Sequence, residues 1–196
     1  YSEIAYQKAE NGDLFGALSL LKQAKELQPH DPFIDMDIAD LYEEMDLHEY
    51  AVSYLFQALN EKSKEAEKEA TVRLAENLFY AGDLNAATFY MQQAMQKWGA
   101  DVPYSEEFAS FLEESSEAAP RYRLVYPPED VDYAPMIAYA RKLMKDENFS
   151  AAIEVLRKIP ESAKKFYPDA LANLSLANYL TGQDDLAEED ARKALA

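Results

Sequence analysis

Residues 11–27 read NGDLFGALSLLKQAKEL, residues 81–97 read AGDLNAATFYMQQAMQK, and residues 181–195 read TGQDDLAEEDARKAL. In each stretch one alanine follows the glycine by five positions and another follows it by twelve, as at Gly12, Ala17 and Ala24. Apolar residues recur at three- and four-residue intervals on both sides of each glycine, which is typical of amphipathic helices. Self-similarity at a fixed spacing predicts an array of helix pairs.

Composition agrees with an all-α array. The chain has 196 residues, of which 48% are hydrophobic, and three of its five glycines hold the turn positions just described. Ala, Glu, Leu and Lys, which are good helix formers, dominate the segments between the turns. A chain of this length can bury a continuous core by stacking neighbouring helix pairs.

The spacing resembles the tetratricopeptide repeat, a helix-turn-helix unit of about 34 residues in which small side chains allow close helix packing. The first of the two alanines has an equivalent in five places: Ala17, Ala51, Ala87, Ala152 and Ala187. Their separations are 34, 36, 65 and 35 residues, so something replaces a standard repeat in the third interval. The resemblance implies a right-handed superhelical solenoid of antiparallel helix pairs, with five recognisable repeats and one degenerate repeat or insertion.

We predict a single solenoid over residues 1–196. Its repeats are expected at about 1–29, 32–63, 66–99, 133–160 and 164–196, with the degenerate repeat or insertion at 100–132. Within repeat two, Asp46 and Glu49 are expected to form a capping box, and residues 61–70 are expected to extend the first helix of repeat three. The last repeat stops before any polar capping helix, which predicts a fragment of a larger protein.

The degenerate region contains two features. Four apolar side chains share one face of a short predicted helix that Ser105 is placed to cap: Tyr104, Phe108, Phe111 and Leu112. Further on, Arg121–Tyr126 is a basic and aromatic stretch between prolines and is expected to be extended. One hypothesis places this stretch in the binding groove as an internal ligand, and the alternative is that it only covers the exposed face of repeat three.

The chain is strongly acidic, with 37 acidic and 19 basic residues and a net charge of -18. Such a charge repels nucleic acid and anionic membranes and favours a basic partner. The charge is concentrated in residues 31–49, which contain no Lys or Arg. The acidic side chains of this stretch are Asp31, Asp35, Asp37, Asp40, Glu43, Glu44, Asp46 and Glu49.

No pattern of catalytic residues stands out. The sequence contains no cysteine, no phosphate-binding glycine loop and no nucleophile motif, and no apolar run approaches the roughly 18 residues that span a bilayer. His30 and His48 are expected at turns in structural or solvated roles. We therefore predict a non-enzymatic, cytoplasmic protein with no cofactor and no metal site. An enzyme would need a buried carboxylate pair or a bound metal.

The resemblance also implies a binding groove, because the first helices of successive tetratricopeptide repeats line a concave surface. Carried onto this chain, the partner-binding residues are Tyr6, Phe33, Met36, Asp40, Glu43, Glu44, Val72, Glu76, Phe79, Tyr80, Ile137, Arg141, Met144 and Lys145. The expected function is a protein-protein interaction scaffold for a peptide or helix with basic and apolar side chains. The alternative is a helical regulatory or oligomerisation domain of a larger enzyme or DNA-binding protein, and the oligomeric state is left open.

Overall fold

The computed structural model describes residues 2–99, 102–114 and 133–195, and these residues form eleven α-helices. The predicted all-α class is confirmed. The chain divides into two compact units, which meet in sequence between residues 129 and 130. The stretch Arg121–Tyr126 lies outside the described residues, and the single solenoid over residues 1–196 stays a prediction.

The first unit contains seven of the described helices. They are α1 (Ser2–Glu10), α2 (Leu14–Leu27), α3 (Pro32–Glu44), α4 (His48–Asn60), α5 (Lys64–Tyr80), α6 (Leu84–Trp98) and α7 (Glu106–Glu114). From α1 to α6, each helix packs against the next along the chain, and α3 also contacts α5. The alanines Ala17, Ala51 and Ala87 are fully buried, because a small side chain lets the paired helices approach closely.

The second unit contains four described helices. They are α8 (Ala134–Lys145), α9 (Phe149–Arg157), α10 (Tyr167–Leu180) and α11 (Asp184–Ala194). Here too each helix packs against the next, and α8 also contacts α10. Ala152 is fully buried, and Ala187 is 7% exposed. Both units are therefore stacks of helix pairs, as the repeat spacing predicts.

The turn within each helix pair requires one residue in the left-handed region. Gly12, Gly82 and Gly182 hold this position in three pairs, whereas Asp46 and Glu147 hold it in the other two, with φ values between 54° and 87°. Only glycine adopts this conformation without a steric cost from its Cβ. The two acidic residues therefore strain their turns. All five pairs have the same turn conformation although only three of them contain the glycine.

Replacing Glu147 with glycine is expected to raise the free energy of unfolding of the second unit by about 1 kcal/mol. Glu147 is exposed with φ at 59°, so the substitution relieves strain without removing a packed side chain. Urea unfolding followed by circular dichroism measures the change. Glu154→Gly is the matched control, because Glu154 is exposed inside α9 and glycine there should destabilise the helix by a similar amount. A loss of stability in Glu147→Gly would contradict the strain.

Side chains cap the second helices of three pairs. Asp13 accepts a hydrogen bond from the Gly16 amide at 3.0 Å, Asp83 accepts one from the Ala86 amide at 3.2 Å, and Asn148 accepts one from the Ala151 amide at 3.4 Å. The predicted capping box of Asp46 and Glu49 is wrong. The N-cap of α4 is Leu47, and no side chain caps this helix, because Asp46 occupies the left-handed turn position one residue earlier.

The sequence predicts the first helix of repeat three less accurately than the short helix that follows the repeat. The predicted extension over residues 61–70 begins later than expected, at Lys64, because Glu61 still belongs to the end of α4 and Ser63 caps α5. The short helix after repeat three is present as α7, and the Ser105 hydroxyl accepts a hydrogen bond from the Phe108 amide at 3.3 Å, as predicted.

Candidate functional site

The first unit carries a cluster of carboxylates around one arginine on α3 and α5. Arg73 bonds to Asp40, its Nη2 lies 3.0 Å from Glu43 Oε1, and its Nη1 lies 3.8 Å from Glu69 Oε1. The Arg73 side chain is 16% exposed, so its guanidinium is largely withdrawn from water. Three carboxylates share one cation, which leaves the cluster with an excess of negative charge. We call this surface, formed by Asp37, Asp40, Glu43, Glu44, Glu69 and Glu76, the acidic face.

Partial burial changes the protonation of two carboxyls in the acidic face. It raises the pKa of Asp40 to about 6, although the nearby Arg73 opposes the rise. Burial also raises the pKa of Asp37, while the hydrogen bond from Tyr6 lowers it. The Tyr6 hydroxyl of α1 donates that bond to Asp37 Oδ1 at 2.5 Å, and burial together with Asp37 raises the pKa of Tyr6. The negative charge of this surface therefore depends on pH near neutrality.

A series of contacting polar side chains, which the sequence did not predict, leads from Glu43 of the acidic face to the turn at Asp46. Asn77, which is 3% exposed, donates from Nδ2 to Glu43 Oε1 at 2.7 Å and places its Oδ1 2.8 Å from His48 Nδ1. His48 Nε2 lies 2.8 Å from Asp46 Oδ1, and the His48 ring stacks on Tyr80 with 4.9 Å between centroids. His48 thus has a structural role, one of the two roles expected for it, and links the strained turn to Glu43.

Two cavities adjoin the acidic face. The larger, of about 750 Å³, lies beside α5 and the segment before α7, and its walls include Glu69, Arg73, Glu76 and Tyr104. Glu76 accepts a hydrogen bond from the Ser105 amide at 2.8 Å, which fixes that segment to α5. A smaller cavity of about 90 Å³ lies between α1 and α3 and is lined in part by Tyr6, Asp40 and Glu44.

The implied partner-binding residues of the first unit differ in exposure. Tyr6, Phe33 and Tyr80 are 51%, 44% and 44% exposed, and Asp40 and Glu44 are also exposed. Glu43, Glu76 and Phe79 are partly exposed, and Phe79 stacks on Phe108 of α7 at 4.8 Å. By contrast, Met36 and Val72 are 4% and 6% exposed, so they belong to the core more than to the surface.

In the second unit the implied residues lie on α8. Arg141 is exposed, and its Nη2 donates to both carboxylate oxygens of Asp169 of α10, at 2.7 and 2.9 Å. Lys145 is exposed, Met144 is partly exposed, and Ile137 is buried at 4% exposure. Asp169 neutralises Arg141, and the last turn of α8 also carries Lys142 and Lys145.

The described residues were also searched for metal sites and for membrane-spanning helices. Within residues 2–99, 102–114 and 133–195, no group of three or more His, Asp or Glu side chains is arranged to hold a metal ion. None of the helices described in this chain is long and apolar enough to cross a membrane.

No family model and no curated protein matches this sequence. Several solved structures are similar to it. The crystal structure of MamA has 19% sequence identity and a TM-score of 0.44, covering 100% of this chain and 94% of that chain. YrrB, a TPR protein with an unusual peptide-binding site, has 15% identity and a TM-score of 0.43, covering 100% and 83%. A putative kinesin light chain of Podosopora anserina with nearly identical TPR-like repeats has 17% identity and a TM-score of 0.43, covering 98% and 90%.

With identities below 25% and TM-scores below 0.5, neither the fold nor the function of this chain is inferred from these structures. The resemblance to tetratricopeptide repeats is confirmed by the chain itself, since the helix pairs and their left-handed turns recur at the predicted positions.

Proposed function

We propose that this chain is a non-catalytic protein-interaction scaffold whose acidic face binds a peptide or helix carrying basic and apolar side chains. The observation that carries the proposal is the excess of carboxylates around Arg73, where Asp40, Glu43 and Glu69 share one guanidinium. Excess charge of one sign on a partly desolvated surface attracts and orients a partner of the opposite sign.

Exposed aromatic rings at the edges of this surface supply apolar contacts. Phe33 lies on α3, Tyr6 on α1 and Tyr80 at the end of α5, and each is about half exposed. Aromatic side chains contribute large contact areas at interfaces for a small entropy cost. A partner that alternates Lys or Arg with large apolar residues would match both the charge and the rings, and a nucleic acid would be repelled.

Binding of a Lys- and Leu-rich amphipathic peptide tests this function directly. Glu44 is exposed and lines the smaller cavity, so Glu44→Lys is expected to weaken binding about fivefold at low salt. Fluorescence anisotropy of a labelled peptide measures the affinity. Glu154→Lys is the matched control, because it makes the same charge change at a 77% exposed side chain in the second unit. Equal losses in both variants, or equal affinity for a Glu- and Leu-rich peptide, would reject the acidic face as the site.

A second candidate function is regulation or oligomerisation through the second unit. Three apolar side chains of α10 are largely open to solvent: Leu176 at 50%, Tyr179 at 65% and Leu180 at 49%. Exposed apolar groups of this kind are common at protein-protein contacts. Sedimentation equilibrium of the chain separates the candidates, because a monomer at tens of micromolar would argue against oligomerisation. A cytoplasmic location stays a prediction.

A further inference from the structure

One side of α10 is open to solvent from its first turn to its last. Exposed side chains without charge recur on this side at intervals of four residues, which places them in one row along the helix surface. The row consists of Pro168, Ala172, Leu176 and Leu180, with Tyr179 next to Leu180. We call these five residues the α10 row.

An apolar surface at this place distinguishes the second unit from the first. In repeat two, the residues that lie 136 positions before the three large side chains of the row are all carboxylates: Asp40, Glu43 and Glu44. The same offset relates Ala51 to Ala187, so the positions are equivalent in the repeat. Large apolar side chains that are exposed together are typical of a surface that another protein covers.

The shape of the α10 row is complementary to itself. The first half of the row has the small side chains, Pro168 and Ala172, and the second half has the large ones. If a second copy of α10 packs antiparallel about a two-fold axis at residue 174, Pro168 faces Leu180 of the second copy, and Ala172 faces Leu176 of the second copy. A small side chain then meets a large one at each step, which lets two helices interlock closely.

The charges at the two ends of α10 favour the same antiparallel arrangement. Lys164 and Lys165 are exposed just before the helix, and Asp184 and Asp185 are exposed just after it, at the start of α11. Lys164 and Asp184 are equally far from residue 174 in sequence, so the two-fold axis brings each beside the other's counterpart in the second copy. A parallel pair would instead place like charges side by side.

The net charge of the second unit permits two copies to approach there. Residues 133–195 contain ten acidic and nine basic side chains, whereas the whole chain has a net charge of -18. Two copies that meet at their second units therefore experience little of the repulsion that two acidic faces would cause.

We propose that α10 is a dimerisation helix whose partner is α10 of a second copy of this chain, packed antiparallel across a two-fold axis. Tyr179 of each copy then lies beside Asp169 of the other, and Asp169 accepts hydrogen bonds from Arg141 of its own copy. The interface is isologous, so both copies contribute the same residues. This pairing rests on the second candidate function, oligomerisation through the second unit, and does not involve the acidic face.

Sedimentation equilibrium of the whole chain tests the dimer. We expect a monomer-dimer equilibrium with a dissociation constant of about 10 µM, because one pair of helices buries a small interface. Leu176→Lys is expected to weaken the dimer about tenfold or more, because it buries a charge without a partner. Leu195→Lys is the matched control, since Leu195 is 89% exposed at the end of α11, outside the α10 row.

A charge swap tests the antiparallel contact itself. Ala172→Glu alone is expected to weaken the dimer about tenfold, as Leu176→Lys does, because a lone carboxylate is then buried against an apolar side chain. An equimolar mixture of the two variants should restore the dimer, because the new carboxylate of one copy faces the new ammonium of the other. Restoration also shows that both variants are folded, and circular dichroism of each variant checks this separately.

The possible failures are distinguishable. A monomer at every concentration up to about 200 µM would overturn this pairing together with the oligomerisation candidate, and would leave peptide binding at the acidic face untouched. A dimer that persists in both single variants, or that the mixture of folded variants does not restore, would overturn the α10 pairing alone.

Discussion

Replacing Arg73 with methionine is expected to lower the free energy of unfolding of the first unit by about 2 kcal/mol. The methionine keeps the apolar stem but leaves Asp40, Glu43 and Glu69 facing one another without their shared cation. Carboxylates that are partly withdrawn from water repel strongly when no positive charge lies between them. Urea unfolding followed by the fluorescence of Trp98, which lies in the same unit, measures the loss.

A matched control separates this cluster from an ordinary surface ion pair. Lys97 lies 2.5 Å from Glu67, and both side chains are well exposed, at 51% and 40%. Lys97→Met is therefore expected to cost about 0.5 kcal/mol or less. Raising the salt concentration should restore part of the stability lost in Arg73→Met, because screening weakens the repulsion of the carboxylates. Similar losses in the two variants would show that Arg73 is only another surface cation.

The helix boundaries were predictable because they depend on local sequence. The repeat spacing predicts a break between residues 29 and 32, and the structure has it there, since α2 ends at Leu27 and α3 begins at Pro32. Proline is favoured in the first turn of a helix, and the alanines mark the faces that pack together. The conformation of Asp46 was harder to predict from the sequence. An acidic residue just before a helix suggests an N-cap, whereas the repeat register requires a left-handed turn residue at this position.

The contacts of the candidate site were not predictable from the spacing of one repeat. Tyr6 and Asp37 are 31 residues apart, Glu43 and Arg73 are 30 apart, and His48 and Asn77 are 29 apart. Each separation is about one helical turn shorter than the repeat, because side chains on neighbouring helices meet with an offset and not at equivalent positions. Pairs of opposite charge about 30 residues apart are the signal that would have identified Arg73 as the centre of the acidic face.

The residues of the implied groove differ in exposure, and helical periodicity could not predict which of them are buried. Met36 and Val72 share a helix face with exposed acidic residues, but neighbouring helices cover them. A position on the first helix of a repeat therefore predicts proximity to the surface, and exposure depends on how far the neighbouring helix reaches. The acidic side chains of the implied groove are all exposed or partly exposed, since charge is seldom buried without a partner, and their role in binding stays a prediction.

Binding of a basic peptide to the acidic face is expected to weaken about tenfold between about pH 7.5 and about pH 5. The pKa of Asp40 is about 6, so this carboxylate is ionised at the higher pH and largely neutral at the lower. Asp37, whose pKa is also raised by burial, changes in the same direction. Protonation removes one of the three negative charges around Arg73, so the excess of negative charge that attracts a basic ligand becomes smaller.

The stability of the first unit should change with pH in the opposite sense. Because the pKa of Asp40 is raised in the folded chain, the folded state binds more protons than the unfolded state between about pH 4 and 6. The contribution of this group to the free energy of unfolding is therefore largest at low pH and is lost as the pH rises through 6. A surface that serves only stability would gain from a neutral side chain here, whereas a binding surface needs the charge.

Asp40→Asn separates these two effects. The amide is uncharged at every pH, so the affinity of the variant for the peptide should be lower at pH 7.5 and should change with pH much less than that of the wild type. Unfolding in urea at the two pH values should show the stability of the variant rising relative to the wild type as the pH increases. The exposed Glu154→Gln in the second unit makes the same chemical change outside the acidic face and should alter neither profile. An unchanged pH profile of binding in Asp40→Asn would mean that Asp40 does not contact the ligand, and a basic peptide would then have to be recognised elsewhere on the chain.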